Sequence, residues 1–299
     1  MKPECEEAPS LPPTLGLALA MLIIGTVGAF ATEAGLDPVT TVFWRCVFAT
    51  IFLGTWCFAR GHLPDRSLSC WGLAIATLGG VCMVLSWVAF FAGFAMTTIA
   101  TTTIVYHIQP FFVVLFGILF LKERVTLFQL MWMFGAFLGV VLASGVTATP
   151  LSISERWFSG IGLTLVAALL YAVATILAKQ LRAQRPEVTA FCQTLAGIIL
   201  LVPFAGTSIP PASWGWLIGI GVLHTGIAYV LMYASYPRLS TPAIGVLTFI
   251  YPLVAILIDW SIYDHALGWS QGVGLVLIVI STLGFKLGWR VPLRASQSA

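Results

Sequence analysis

A chain of 299 residues with 59% apolar and 8% charged residues and a mean hydropathy of +1.00 lies far from the soluble range, where about 25% of residues are charged. At about 20 apolar residues per crossing, ten spans leave no room for a soluble domain, so whatever the chain does is done within the bilayer. The net charge of +3 includes no Lys/Arg cluster interleaved with exposed aromatics, which speaks against a nucleic-acid partner.

The N-terminal MKPECEEAPSLPP is acidic and proline-rich, unlike the basic start of a signal peptide, so the first apolar run reads as a retained span. Spans are expected at 14–32, 38–59, 71–95, 98–121, 126–146, 158–181, 187–206, 213–235, 240–261 and 270–289, which predicts an all-α polytopic membrane protein. GLDP, RGHLPDR, AQRPE and TSIPP mark breaks. The join near Met96–Thr98 is so short that the third and fourth helices must form a tight antiparallel pair. Cys5, Cys46, Cys57, Cys70, Cys82 and Cys192 stand singly, without CxxC or Cys/His spacing, and read as buried thiols rather than metal or disulfide sites.

Basic residues set the orientation. Lys2, Arg60, Arg66, Lys122, Arg124, Lys179, Arg182, Arg185, Arg238, Lys286, Arg290 and Arg294 fall on one face, Arg156 on the other, and Arg45 within a span. Both termini are therefore expected in the cytoplasm. The halves also match. Pro110 in IQPFFVVLFGILFLKERVT and Pro252 in IYPLVAILIDWSIYDHALG are 142 residues apart. The same offset aligns Phe91–Ala95 with Tyr233–Pro237 and Thr98 with Ser240. Asp264 stands near the position of Glu123, and DPVTTVFWR matches PEVTAFCQ weakly. Repeats of five helices enter from opposite sides, the inverted architecture of many secondary transporters, with substrate near the midplane between the halves. The division is 1–13 tail, 14–146 first repeat, 147–157 linker, 158–289 second repeat and 290–299 tail.

These pieces resemble a known family. Asp37-Pro38 followed by Arg45, the Phe94–Thr98 linkage, and the Pro110 helix ending in Leu121-Lys122-Glu123-Arg124-Val125-Thr126 are similar to the EamA-type repeat of the drug/metabolite transporter superfamily. The second half departs from that pattern at Asp264-His265 and Gln193. The density of intramembrane aromatics is similar to that of the aromatic amino acid exporters (YddG-type). The resemblance implies a ten-helix inner-membrane permease that moves amino acids, aromatic and other bulky neutral ones, or related metabolites outward. It implies no cofactor, and as partners only the bilayer and a small molecule; the functional unit is read as a monomer.

Polar groups at membrane depth single out the site candidates. Thr103, Tyr106, His107 and Pro110 share one helical face, and Pro110, lacking an N–H, frees the Tyr106 carbonyl as Pro252 frees that of Thr248. Each open carbonyl can receive a ligand, or each proline can merely kink its helix. His107 lines a cavity or makes an interhelical hydrogen bond; Gln109 points elsewhere and reads as interhelical glue. Met83, Trp87 and Phe90 form a stripe with Trp87 equivalent to Tyr229, and Tyr171 and Thr175 face inward from the sixth span; packing and a cavity for an apolar cargo both fit. Arg45, about seven residues or 10 Å into its span, can pair with Glu33 or Asp37 or attract a carboxylate. His224 lies mid-span with no obvious partner. Lys122, Glu123 and Arg124 read as a cytoplasmic salt-bridge lock. Trp214, Trp216, Trp269 and Trp289 fit an interfacial belt. The absence of GxSxG, HExxH or paired Asp motifs disfavours an enzyme, and no P-loop suggests an ATP-driven pump.

Overall fold

The computed structural model describes residues 11–63, 69–97, 99–144, 154–262 and 268–289. Lys2, Arg66, Thr98, most of the 147–157 linker, Asp264-His265, Arg290 and Arg294 lie outside the described residues. The spans are α1 (Pro13–Ala34), α2 (Pro38–Ala59), α3 (Cys70–Met96), α4 (Thr101–Leu121), α5 (Leu127–Ala143), α6 (Glu155–Gln180), α7 (Pro186–Leu201), α8 (Pro211–Arg238), α9 (Thr241–Ile262) and α10 (Trp269–Lys286). Eight are long and apolar enough to cross a membrane, and α5 and α7 are shorter apolar helices.

Local chemistry explains the boundaries. The Asp37 carboxylate accepts from Thr40 N at 3.0 Å with Pro38 as the first residue of α2, an N-cap that satisfies an orphan donor. Ser69 caps α3 through Gly72 N at 3.0 Å. Thr126 and Gln129 form a reciprocal capping box at the start of α5. α4 ends where Lys122 adopts φ 54°, the left-handed conformation that turns the chain out of a helix. The largest departure from the sequence expectation is α7, predicted to reach 206 and ending at Leu201. Val202 closes it, and Phe204 N and Ala205 N both fold back onto Leu201 O, because Pro203 has no N–H to continue the ladder.

Packing follows a two-fold pattern. The most extensive pairs join one half to the other: α3 with α6 and α1 with α8, α2 with α8 and α3 with α7, α4 with α6 and α1 with α9, and the self-related pairs α2–α7, α4–α9 and α5–α10. An exchange of halves, α1 for α6 and so on, maps this set onto itself, and the odd helix number in each half makes the relation an inversion through the membrane plane. Association without a hydrophobic drive relies on close backbone approach at small residues. In the α5–α10 pair, Gly274 lies so near that a Cβ there would sit 2.5 Å from Gly139 O and Ala143 N. Large apolar side chains cover the outside, among them Phe58 at 80%, Ile199 at 69% and Phe120 at 66% exposure, a surface suited to lipid and not to water.

Three helices are broken at mid-depth. α1 parts at Thr26, α4 at His107–Ile108, and α9 at Phe249. α8 carries a π-helical turn over Val222–Ile227. Non-helical backbone at membrane depth is tolerated where it is enclosed by protein or lines a cavity. The breaks in α4 and α9 are related by the 142-residue repeat and precede Pro110 and Pro252 by a few residues.

Candidate functional site

The breaks surround a cavity with about 580 Å³ of empty space, a figure that includes open solvent at its mouth. Its wall takes Met21, Ile24 and Val27 from α1, Arg45 from α2, Trp87, Phe90 and Phe91 from α3, Tyr106, His107 and Gln109 from α4, Tyr171 from α6, Tyr229 from α8, and Thr248 and Tyr251 from α9. Several of these are repeat partners, and one such pair is in direct contact. Trp87 Nε1 donates to Tyr229 Oη at 3.1 Å across a separation of 142 residues. Tyr106 pairs by the same offset with Thr248, and Gln109 with Tyr251. Trp87 lies nine residues before the end of α3, and Tyr229 nine before the end of α8. These ends are on opposite faces, so each residue is about 14 Å deep and the pair sits near the midplane.

Arg45 is 3% exposed. Its Nε donates to Thr225 Oγ1 at 2.5 Å and its Nη2 to His224 O at 3.4 Å. The guanidinium lies over the Trp87 ring, 3.7 Å from the centroid, and 5.8 Å from that of Tyr229, a cation–π arrangement strengthened by desolvation. Asp37, one of the partners considered for it, is engaged in capping α2. The rest of the wall is an aromatic box: Phe90 and Tyr106 rings 4.3 Å apart, Tyr106 and Tyr171 6.0 Å, and His107 stacked on Tyr251 at 5.4 Å.

Of the residues singled out from sequence, Arg45, Trp87, Phe90, Tyr106, His107, Tyr171, Tyr229 and Thr248 converge on this cavity, whereas Met83, Thr103 and Thr175 stand behind it. Met83 accepts the Tyr229 hydroxyl at 3.6 Å. Thr175 Oγ1 donates to Tyr171 O at 2.9 Å. The Thr103 carbonyl accepts from His107 Nδ1 at 2.6 Å, which fixes the proton on Nδ1 and leaves Nε2 as an acceptor. Helical spacing groups Thr103 with Tyr106 and His107, yet the break at His107–Ile108 turns the chain so that Gln109 joins the wall instead. Gln109, read from the sequence as pointing elsewhere, thus lines the cavity: it is 4% exposed and its Oε1 has no partner among the described residues. Met21, Ile24, Val27, Phe91 and Tyr251 were missed as well; for Tyr251 the repeat offset from Gln109 was the available signal. His224, expected to lack a partner, holds Thr26: its Nε2 is 2.8 Å from Thr26 Oγ1 and its Nδ1 3.2 Å from Gly219 O. The Thr26 hydroxyl is also 2.9 Å from Ile23 O and has one proton for the two acceptors.

Glu123 makes its contacts away from its neighbours Lys122 and Arg124. Its Oε1 pairs with Lys179 Nζ at 2.5 Å, and its Oε2 accepts from Thr241 N at 2.7 Å and Thr241 Oγ1 at 2.9 Å. Lys179, 3% exposed, also donates to Leu239 O. The cluster joins the end of α4, the end of α6 and the α8–α9 link, closing the bundle at the face that carries most of the basic residues. Burial alone would raise the Glu123 carboxyl, but hydrogen bonds from Lys179 and Thr241 outweigh it and hold the group below its usual 4.5.

The model of the EamA-like transporter family matches residues 12–145 and 158–286. A transporter of Bacillus subtilis named YxxF, itself uncharacterized, is 32% identical over 266 residues, covering 88% of this chain and 85% of that protein. The pseudopaline exporter CntI of Pseudomonas aeruginosa is 25% identical, covering 90% and 93%. A solved crystal structure superposes with a TM-score of 0.79 at 18% identity, over 92% of this chain and 96% of that one, which shows a shared fold. Two matched repeats, the inverted ten-helix bundle and a relative above 30% identity together show that this multi-pass membrane protein belongs to the EamA-like transporter family of the drug/metabolite transporter superfamily.

Proposed function

We propose that the protein is a secondary transporter that exports amino acids, aromatic and other bulky neutral ones, or closely related metabolites, across the inner membrane by alternating access, with both termini in the cytoplasm. The observation that carries this reading is the midplane cavity between the repeats, walled by Trp87, Phe90, Tyr106, Tyr171 and Tyr229 with one guanidinium at its edge. Aromatic faces suit a flat or bulky apolar body, and a few polar groups orient it. Breaks in α1, α4 and α9 beside the cavity give each half a joint where a small rotation can open one face and close the other. The Glu123–Lys179–Thr241 cluster then acts as the cytoplasmic lock of the state seen here. Glu123 is its centre, and Lys122 and Arg124 flank it.

Flux of labelled tryptophan, phenylalanine and leucine into proteoliposomes tests the reading. Uptake is expected above that of empty liposomes and is expected to fall when Trp87 or His107 becomes alanine. A broad amino acid panel with no flux above empty liposomes would sink it. A different cargo on the same scaffold is the second reading, favoured by the relative that is named for pseudopaline.

A further inference from the structure

We infer that the cargo is recognised as an amphipathic carboxylate, its acid group held by Arg45 and its apolar body lodged against Trp87, Phe90 and Tyr106, with no group set aside for an ammonium. This rests on the proposed reading of the cavity as the transport site and narrows it: the carboxylate is required and an ammonium is not.

The argument begins with charge. Among the described cavity-lining residues Arg45 is the single formal charge, and no Asp or Glu accompanies it. A guanidinium offers five N–H donors and no acceptor. Thr225 Oγ1 and His224 O take two of these, and among the described residues no carboxylate pairs with the group. A buried cation without an anion is costly, because ring faces and neutral oxygens replace only part of its hydration. Anions with the planar fork of a carboxylate match a guanidinium in geometry as well as charge. The cation–π contact sets the guanidinium 3.7 Å from the Trp87 ring centroid, in the same wall as the rings of Phe90 and Tyr106. Acid group and ring of one small molecule are thereby served by adjacent surfaces.

Among the described lining residues no negative charge faces the other end of the cargo. What the wall provides instead is a neutral acceptor, Gln109 Oε1, buried and without a partner among the described residues. Such an atom is under-satisfied until a donor arrives, and an indole N–H or a phenolic O–H serves it without bringing a second cation near Arg45. Charge balance at low dielectric reinforces the choice. A zwitterion leaves the loaded cavity with the arginine's full positive charge, whereas a monoanion makes it neutral, and neutrality is favoured at membrane depth.

The test is direct binding to the purified full-length protein in detergent, by isothermal titration calorimetry, with four probes on one ring: tryptophan, indole-3-propionate, tryptophanamide and tryptamine. Indole-3-propionate is expected to bind at least as tightly as tryptophan. The amide and the amine are expected to bind roughly ten-fold or more weakly, the scale of a lost charge-assisted hydrogen bond. Arg45→Gln is expected to remove the preference for the acid, and Arg45→Lys to retain part of it. Should Arg45→Gln fail to fold, the wild-type ranking decides alone. Equal binding of acid, amide and amine, or an Arg45→Gln protein that still prefers the acid, overturns the inference while leaving aromatic transport standing. Tryptophan binding with no indole-3-propionate binding overturns it too. Binding of none of the four, with no aromatic flux in proteoliposomes, removes the parent reading as well.

Discussion

Replacing Glu123 by glutamine keeps the shape of the side chain and removes its charge, which isolates the lock from the packing around it. Lys179 is 3% exposed and its salt-bridge partner 21% exposed, so the two ends of the pair respond differently. Glu123→Gln strands a buried ammonium with Leu239 O and a weakened Gln contact. Removing one partner of a buried pair costs about 3–5 kcal/mol, and partial exposure of the carboxylate end argues for the low value. At 1.4 kcal/mol per factor of ten, about 3 kcal/mol shifts the balance roughly a hundred-fold away from the state in which α4, α6 and the α8–α9 link are joined. Lys179→Met is expected to be milder, because the surviving carboxylate keeps both Thr241 hydrogen bonds and some water. The double variant should recover part of the loss, since no unpaired charge remains. The readout is alkylation of a cysteine placed at Thr248 on the cavity wall, in a cysteine-free background, by a membrane-impermeant maleimide applied from the face carrying Lys179. Glu123→Gln should label much faster than its parent. A monodisperse Glu123→Gln protein that labels at the parental rate refutes the assignment of this cluster as a gate.

The same carboxylate predicts a pH dependence. Its folded value is depressed below the usual 4.5, so its contribution is fully present above that value and is lost as pH falls through the folded one; labelling at Thr248→Cys, divided by that of a water-exposed cysteine control so that the falling thiolate fraction cancels, should be flat from pH 7 to 5 and rise only in more acidic buffer. Gly274→Ala forces a methyl against the Gly139 carbonyl and Ala143 backbone, so the α5–α10 pair should separate and the melting temperature in detergent fall, by several degrees for a loss of about 1–3 kcal/mol; an unchanged melting temperature would contradict the close packing. Thr225→Val removes the 2.5 Å acceptor of Arg45 Nε; it should loosen the guanidinium and raise KM for an aromatic cargo while sparing kcat, and a fall in kcat alone would contradict a positioning role.

Much of the architecture was legible because it is written in strong signals. Runs of apolar residues bounded by GLDP, AQRPE or Ser and Thr caps gave the helices to within three residues at most ends. The 142-residue offset aligned Pro110 with Pro252 and foretold that Trp87 and Tyr229 are counterparts. The orientation of helices was harder. α1 is apolar on every side, so no periodicity could show that Met21, Ile24 and Val27 face the cavity. Regular spacing also fails across a break: extrapolating from Thr103 to Tyr106 and His107 assumes 3.6 residues per turn, and the interruption at His107–Ile108 swings Gln109 inward. The π-helical turn at Val222–Ile227 likewise sets His224 against Thr26 in a way no regular helix predicts. Glu123 illustrates the limit of local reading, since Lys179 lies 56 residues away and only the fold brings them together.

The central claim is that cargo crosses through the cavity walled by Trp87 and Arg45 between the two repeats. Its most direct measurement is time-resolved counterflow of labelled tryptophan in proteoliposomes holding the wild-type protein, Trp87→Ala or His107→Ala, with empty liposomes as baseline. Saturable wild-type flux that either alanine variant diminishes, with both variants still monodisperse, is the predicted result. Flux that is unaffected by both substitutions would contradict the assignment of this cavity as the path.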